Sequence, residues 1–419
     1  MNALLFWLLL MLVFMVAYAL GAQSTALRAR AERNQLEQAA PRVAPETLAA
    51  LQSRLAPMLG ITGHKTVGNT VQFTGHLKGQ SEEMFRRIRE AFAHDPVTPM
   101  LLEGEENDVR VVLLPRQQTE PESKPDNWAL HWGLFFATIA TTTWAGALDA
   151  GVNLLTHPER FAVGLPYSLG LLLILGSHEL GHYFTAKFHH IRVTPPYFIP
   201  VPFSLGTFGA FIKIKSLTPD RRALFDVAVA GPLAGLVFAI PALLIGLRFS
   251  EVIPGGADFG PGLREGGVNV GSSILLAFLA NISLGAPVIP GAHLVLHPLA
   301  FAGWLGLIVT ALNLLPIGQL DGGHISHALF GSRAARAISV VGMFSLFLLA
   351  LFVWPGMMFW AFIVFFIAGV RDAPAANDLT PVGPRRVLLG LFSFLLLLLI
   401  IVPVPESLFE AIGIHSPYL

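Results

Sequence analysis

The chain has 419 residues, 53% of them hydrophobic and only 13% charged, with 27 Lys plus Arg balancing 27 Asp plus Glu. Zero net charge leaves no basic footprint for nucleic acid, and the absence of cysteine removes disulfides, thiolate nucleophiles and Cys-ligated metal together. Several apolar runs reach the ~18–20 residues that a bilayer crossing needs, so the class is a polytopic membrane protein, and 30 Pro with 40 Gly suit broken or re-entrant elements.

In chain order, the first apolar run, 3–22, reads as an uncleaved anchor. Nothing basic precedes it, and Arg28, Arg30 and Arg33 follow it, which sets the N-terminus outside. The alternative is a signal peptide cut near Ala19-Leu-Gly-Ala22. Residues 24–126 read as a small soluble α+β domain and linker. Its helices are Ala44 to Leu59 and Ser81 to Phe92, and its strands are Thr70 to Thr74, Val97 to Leu102 and Val109 to Leu114. Gln117 to Asp126, with two Pro and mixed charge, reads as a linker. Residues 127–404 form the membrane domain and 405–419 a short tail. The expected spans are 3–22, 127–149, 163–186, 223–247, 298–315, 335–354, 356–371 and 386–404, eight in all, with Ser272 to Leu284 as a shorter re-entrant or interfacial segment.

Charge supports that assignment. With the N-terminus outside, 24 of the 27 Lys and Arg fall on cytoplasmic connections, and only Arg160, Arg248 and Arg264 lie outside. The spans 163–186 and 298–315 then both run inward and end at the same depth.

Within the first of these lies His178-Glu179-Leu180-Gly181-His182. Two His at i and i+4 share one helix face and reach one metal ion, and the Glu beside the first His is placed as general base. A chance match somewhere in a chain of this His content is on the order of one in a hundred. Inside a membrane span such a cluster is expensive and marks function. A hydrolytic zinc site needs a third ligand and an open position. Asp321 answers, in Asn313-Leu-Leu-Pro316-Ile-Gly-Gln-Leu-Asp321-Gly322-Gly323-His324, with helix capping as its alternative role. Pro316 breaks the inward helix, and Gly322-Gly323 let the backbone turn closely past the metal. Asn313 is a neutral donor for the oxyanion of a tetrahedral intermediate, or else an interhelical hydrogen-bonding residue.

Between the two spans, Pro195, Pro196, Pro200 and Pro202 and then Gly206, Gly209 and Phe211-Ile-Lys-Ile-Lys exclude a span and suggest a hairpin dipping beside the site. Gly231-Pro232-x-x-Gly235 reads as close helix packing. Asp226 is either a partner for a ligating His or a helix cap. His297 and His324 read as interfacial histidines, with proton shuttling as the alternative, and His189 and His190 read as surface residues.

The HExxH run together with Asn-x-x-Pro-x-x-x-Leu-Asp-Gly resembles the site-2 protease family of intramembrane metalloproteases, peptidase family M50. Gly206-Thr-Phe-Gly209-Ala-Phe, Leu224-Phe-Asp226-Val-Ala-Val-Ala-Gly231-Pro-Leu-Ala-Gly235 and His297-Pro298-Leu are similar to its cyanobacterial, bacterial and chloroplast branch. In plants that branch is the ethylene-dependent gravitropism-deficient and yellow-green group. The resemblance covers about residues 125–400. It implies one Zn2+ per chain held by His178, His182 and Asp321, Glu179 as catalytic base, Asn313 as substrate-side donor, a substrate-clamping strand edge, and single-span membrane proteins as substrates. It also implies that the chain is active, since every motif residue is kept. The lack of an Arg/Ser-rich leader favours a bacterial inner membrane over a plastid. A metal transporter and a membrane scaffold acting through 24–126 are the competing classes.

Overall fold

The computed structural model describes residues 44–105, 108–116, 125–202, 204–253, 273–284, 293–352, 358–369 and 374–402. The expected first anchor, most of the 117–126 linker and the C-terminal tail lie outside these residues. Among the described residues four helices are long and apolar enough to cross a membrane, within Pro158–Phe188, Arg221–Arg248, Ser332–Leu351 and Pro384–Ile401. The chain forms two compact units, one built from 1–123, 216–221 and 330–381, the other from 124–215, 222–329 and 382–419.

In the first unit, helix α1 (Pro45–Leu55) leads into β1 (Leu59–Val67) and β2 (Thr70–Leu77), then α2 (Ser81–Ala91), β3 (Val97–Glu103) and β4 (Val109–Pro115). The sheet is antiparallel in the order β1-β2-β4-β3. Pro45 and Glu46 suit the first turn of α1. The helix stops at Leu55 rather than Leu59, because Met58 and Leu59 turn into β1. That strand is not expected from the pattern. Gly60 and Gly63 dilute its β-propensity, and an irregularity between Ile61 and Gly63 breaks the period of two.

Phe73, Leu101, Val111 and Leu113 on the sheet close over Leu55, Ile88 and Phe92, all at most 1% exposed. Phe73→Ala removes a wholly buried ring and is expected to cost about 3–5 kcal/mol. A thermal melt of the detergent-solubilised chain, followed by near-UV circular dichroism, should show an early transition that the wild type lacks.

Two distant stretches extend this sheet. Leu101 N–H donates to Ala376 O (2.7 Å) and Leu101 O accepts from Asp378 N–H (2.9 Å), while Ala376 and Asn377 N–H donate to Thr218 O and Pro219 O. Pro99 sits on the same outer edge of β3, where its missing N–H leaves no ladder bond unmade. The unit also holds α9 (Ser332–Phe352) and α10 (Met358–Ala368).

The second unit carries α3 (Trp128–Asp149), α4 (Leu165–Phe188), β5 (Tyr197–Pro200), β6 (Thr207–Phe211), α5 (Arg221–Arg248), β7 (Glu251–Ile253), α6 (Ile274–Leu284), β8 (His293–Val295), α7 (Pro298–Leu314), α8 (Asp321–Phe330) and α11 (Pro384–Ile401). Asn127 caps α3 by accepting from Leu130 N–H, and His297 caps α7 by accepting from Leu299 N–H. That cap, rather than a proton shuttle, is the visible role of His297. α5 has 28 residues, about 42 Å, and contains Pro232 and Pro241. The expected hairpin is present: β5 pairs antiparallel with β6, Tyr197 stacks on Phe211 at 5.3 Å, and Val193 bridges Ile214.

Gly322 and Gly323 have a different role from the one the sequence suggests. They lie inside α8, where a Cβ at Gly322 would meet Leu314 O at 1.9 Å and one at Gly323 would meet Gly318 O at 2.1 Å. They let the start of α8 fold back onto the end of α7, and this close return brings Asp321 toward the level of α7.

Candidate metal centre

α4 presents His178 and His182 one turn apart on a buried face, 4% and 7% exposed. Their Nε2 atoms lie 3.1 Å apart. Asp321, first residue of α8, places Oδ2 3.4 Å from each of them. Three ligand atoms around a tetrahedral metal with bonds of 2.0–2.1 Å are separated by about 3.3–3.4 Å. The three edges found here fit that spacing, and the donor set of two imidazoles and a carboxylate fits a borderline divalent cation.

The His182 ring is oriented by its other nitrogen. Nδ1–H donates to the Val227 carbonyl on α5 (2.7 Å), which leaves the Nε2 lone pair facing the cluster. Asn313, at the end of α7, places Nδ2 3.3 Å from His178 Nε2. Glu179 is 7% exposed, and the backbone N–H of Ile212, just past β6, hydrogen-bonds its carboxylate. All five residues singled out by their spacing therefore converge from α4, α7 and α8.

Several other expectations change. Asp226 does not touch a ligating His. It accepts from Arg386 Nε and Nη2 on α11 (2.7 Å each), and His189 Nε2 lies 3.0 Å from it. His189 is thus a partly buried member of an ion-paired group rather than a surface residue, while His190 stays exposed. Gly231 and Gly235 face the two imidazoles instead of only a neighbouring helix. Neither the Val227 carbonyl nor Arg386 is visible in the sequence. A backbone acceptor has no residue signature, and Arg386 lies 160 positions from its partner.

A multi-pass membrane protein with a buried His-His-Asp metal-binding group is what this fold and site define. The sequence profile described as peptidase family M50 matches residues 166–352, from α4 through α9, which includes all five site residues. The chain is similar to that family over this stretch. It is 29% identical over 396 residues to the probable zinc metalloprotease EGY1, chloroplastic, of Oryza sativa subsp. japonica, covering 83% of this chain and 65% of that one. It is 31% identical over 362 residues to the probable zinc metalloprotease EGY2, chloroplastic, of Arabidopsis thaliana, covering 82% and 62%. The probable zinc metallopeptidase EGY3, chloroplastic, of Arabidopsis thaliana is 29% identical over 355 residues, covering 78% and 60%. The chain thus spans just under two thirds of the length of these relatives. No solved structure matches it.

Proposed function

We propose that this protein is an intramembrane zinc metalloendopeptidase that hydrolyses peptide bonds in or near the transmembrane segments of single-span membrane proteins. One observation carries the proposal: three ligand atoms at tetrahedral spacing, two of them from histidines on a helix apolar enough to span a bilayer, with a carboxylate next to the first His. His178, His182 and Asp321 would hold one Zn2+. When bound, zinc supplies Lewis acidity, which acidifies water and polarises a carbonyl.

The chain's own residues do the rest. Glu179 accepts the proton of the attacking water on its carboxylate and returns it to the departing amine. Asn313 donates its amide N–H to the oxygen that gains charge in the transition state. The buried faces of α4 and α7 limit water to what the reaction consumes. A substrate helix must unwind to expose its peptide bonds, and addition of its strand to an edge of the hairpin replaces the lost hydrogen bonds. Among the described residues β6 pairs only with β5, which favours this role for its outer edge. We place the protein in a cell membrane with about eight crossings, the N-terminus outside and the site near the cytoplasmic face. The support is the concentration of Lys and Arg on alternate connections.

The test is co-reconstitution in liposomes with a panel of end-labelled single-span proteins. Wild type should release fragments cut within or beside the span, a zinc chelator should stop this, and added zinc should restore it. Fragments that persist in His178→Ala would defeat the proposal, and so would intact substrate across the panel with zinc-loaded wild type.

A further inference from the structure

α5 lays residues 227–235 against the two histidines, and the approach is tightest at Gly231. A Cβ there would lie 2.1, 2.4 and 2.5 Å from Nε2, Cε1 and Cδ2 of His182. All three nearest atoms belong to one imidazole ring and none to backbone. Other glycines at this helix pair behave differently. A Cβ at Gly235 would meet His178 Nδ1 at 3.4 Å, close to an ordinary contact. One at Gly181 would meet the Ala230 carbonyl oxygen at 2.6 Å and Ala234 Cβ at 2.9 Å, which is close packing of helix on helix. Gly231 makes room for a ring, whereas Gly181 makes room for a helix.

The same turn of α5 fixes the far side of that ring. Val227 O, which takes the His182 Nδ1–H at 2.7 Å, lies one turn before Gly231. Pro232 has no N–H, so the Ala228 carbonyl lacks its usual helical donor. Acceptor and empty space thus come from one short stretch, Val227 to Pro232.

We infer that Gly231 is a positioning residue for the metal centre. With the Val227 carbonyl it forms a slot that admits the His182 imidazole in one orientation, Nε2 toward His178 Nε2 (3.1 Å) and Asp321 Oδ2 (3.4 Å). This rests on the proposed role of the three residues as zinc ligands. A flipped or swung ring would turn carbon or Nδ1 toward the cluster. The slot excludes both, and a methyl group at 231 forces the ring out of it.

The experiment uses the full-length chain in detergent, stripped of metal and titrated with cobalt(II), whose visible spectrum depends on ligand set and geometry. Wild type, Gly231→Ala and Gly235→Ala are compared, and the thermal midpoint of each metal-free protein is recorded. Wild type should take one cobalt with intense tetrahedral bands. Gly231→Ala should bind it at least about tenfold more weakly, within the range that loss of a ligand's supporting partner costs, and with altered bands. Its metal-free midpoint should stay close to wild type, because the preference of a helix for Ala over Gly offsets the one ring hydrogen bond that is lost. Gly235→Ala should keep the wild-type affinity and spectrum.

Unchanged affinity and bands in Gly231→Ala would overturn the inference. So would equal damage in Gly235→Ala, or a metal-free Gly231→Ala protein that fails to fold or melts well below wild type, because each assigns the glycine to helix packing alone. Wild type that binds no cobalt would remove the metal-centre reading itself, so the two failures are distinguishable.

Discussion

Glu179→Gln is expected to abolish peptide cleavage while leaving the metal in place. The substitution keeps the size and shape of the side chain and removes only its ability to take a proton. Glu179 is not among the three clustered ligand atoms, so those atoms keep their 3.1–3.4 Å spacing. General acid–base catalysis is worth about 10²–10⁴-fold, and on the proposed mechanism one carboxylate serves both proton transfers, so kcat should fall by at least that factor. Zinc content by atomic absorption should remain that of wild type. Cleavage within tenfold of wild type would remove Glu179 from the chemistry. Zinc lost along with activity would mean that the carboxylate is part of the ligand set.

Asp321→Ala is expected to empty the site. With Asp321 gone, two imidazoles one turn apart remain, and the anionic member of the three-residue group is lost. The loss of zinc affinity should exceed the roughly 10–100-fold that removal of an outer hydrogen-bonding partner costs. His178→Ala should behave in the same way. Asn313→Ala is the control: its amide lies 3.3 Å from His178 Nε2, and on the proposed role it should lower kcat while zinc is retained. If Asp321→Ala keeps full zinc and His178→Ala does not, the third ligand must be sought elsewhere. If all three variants keep zinc, the metal lies at another site.

The sequence carried the ligands more clearly than their setting. His178 and His182 are legible because helical spacing is local, and because a polar cluster in an apolar run has few inexpensive explanations. Asp321 is legible from the Pro316 break at matching depth, but the helix that begins with it is not, because α8 starts on a Gly-Gly pair that reads as a turn. β1 was hidden by Gly60, Gly63 and its own irregularity. The Asp226–Arg386–His189 group, the Val227 acceptor and the added edge of the sheet all join positions far apart in the chain. No local pattern announces such pairings. Gly231 looked like one of several small residues in a packed helix, and only the position of an imidazole distinguishes it from Gly181.

The backbone ladder at Leu101 has a consequence in time. Its partners, Ala376 and Asp378, are synthesised about 275 residues later, which at 5–20 residues per second is roughly 14–55 s. Through that interval the nascent sheet of residues 59–115 waits with its outermost strand uncovered. An uncovered strand is a template for mispairing with neighbouring chains. Pro99 blunts it by withholding one donor, and the stretch at Thr218 to Asp220 is made well before the final closure. Biogenesis of this protein should therefore depend on whatever shields that edge at the ribosome, and a chain stopped before residue 376 should aggregate through this sheet even with His178, His182 and Asp321 already translated.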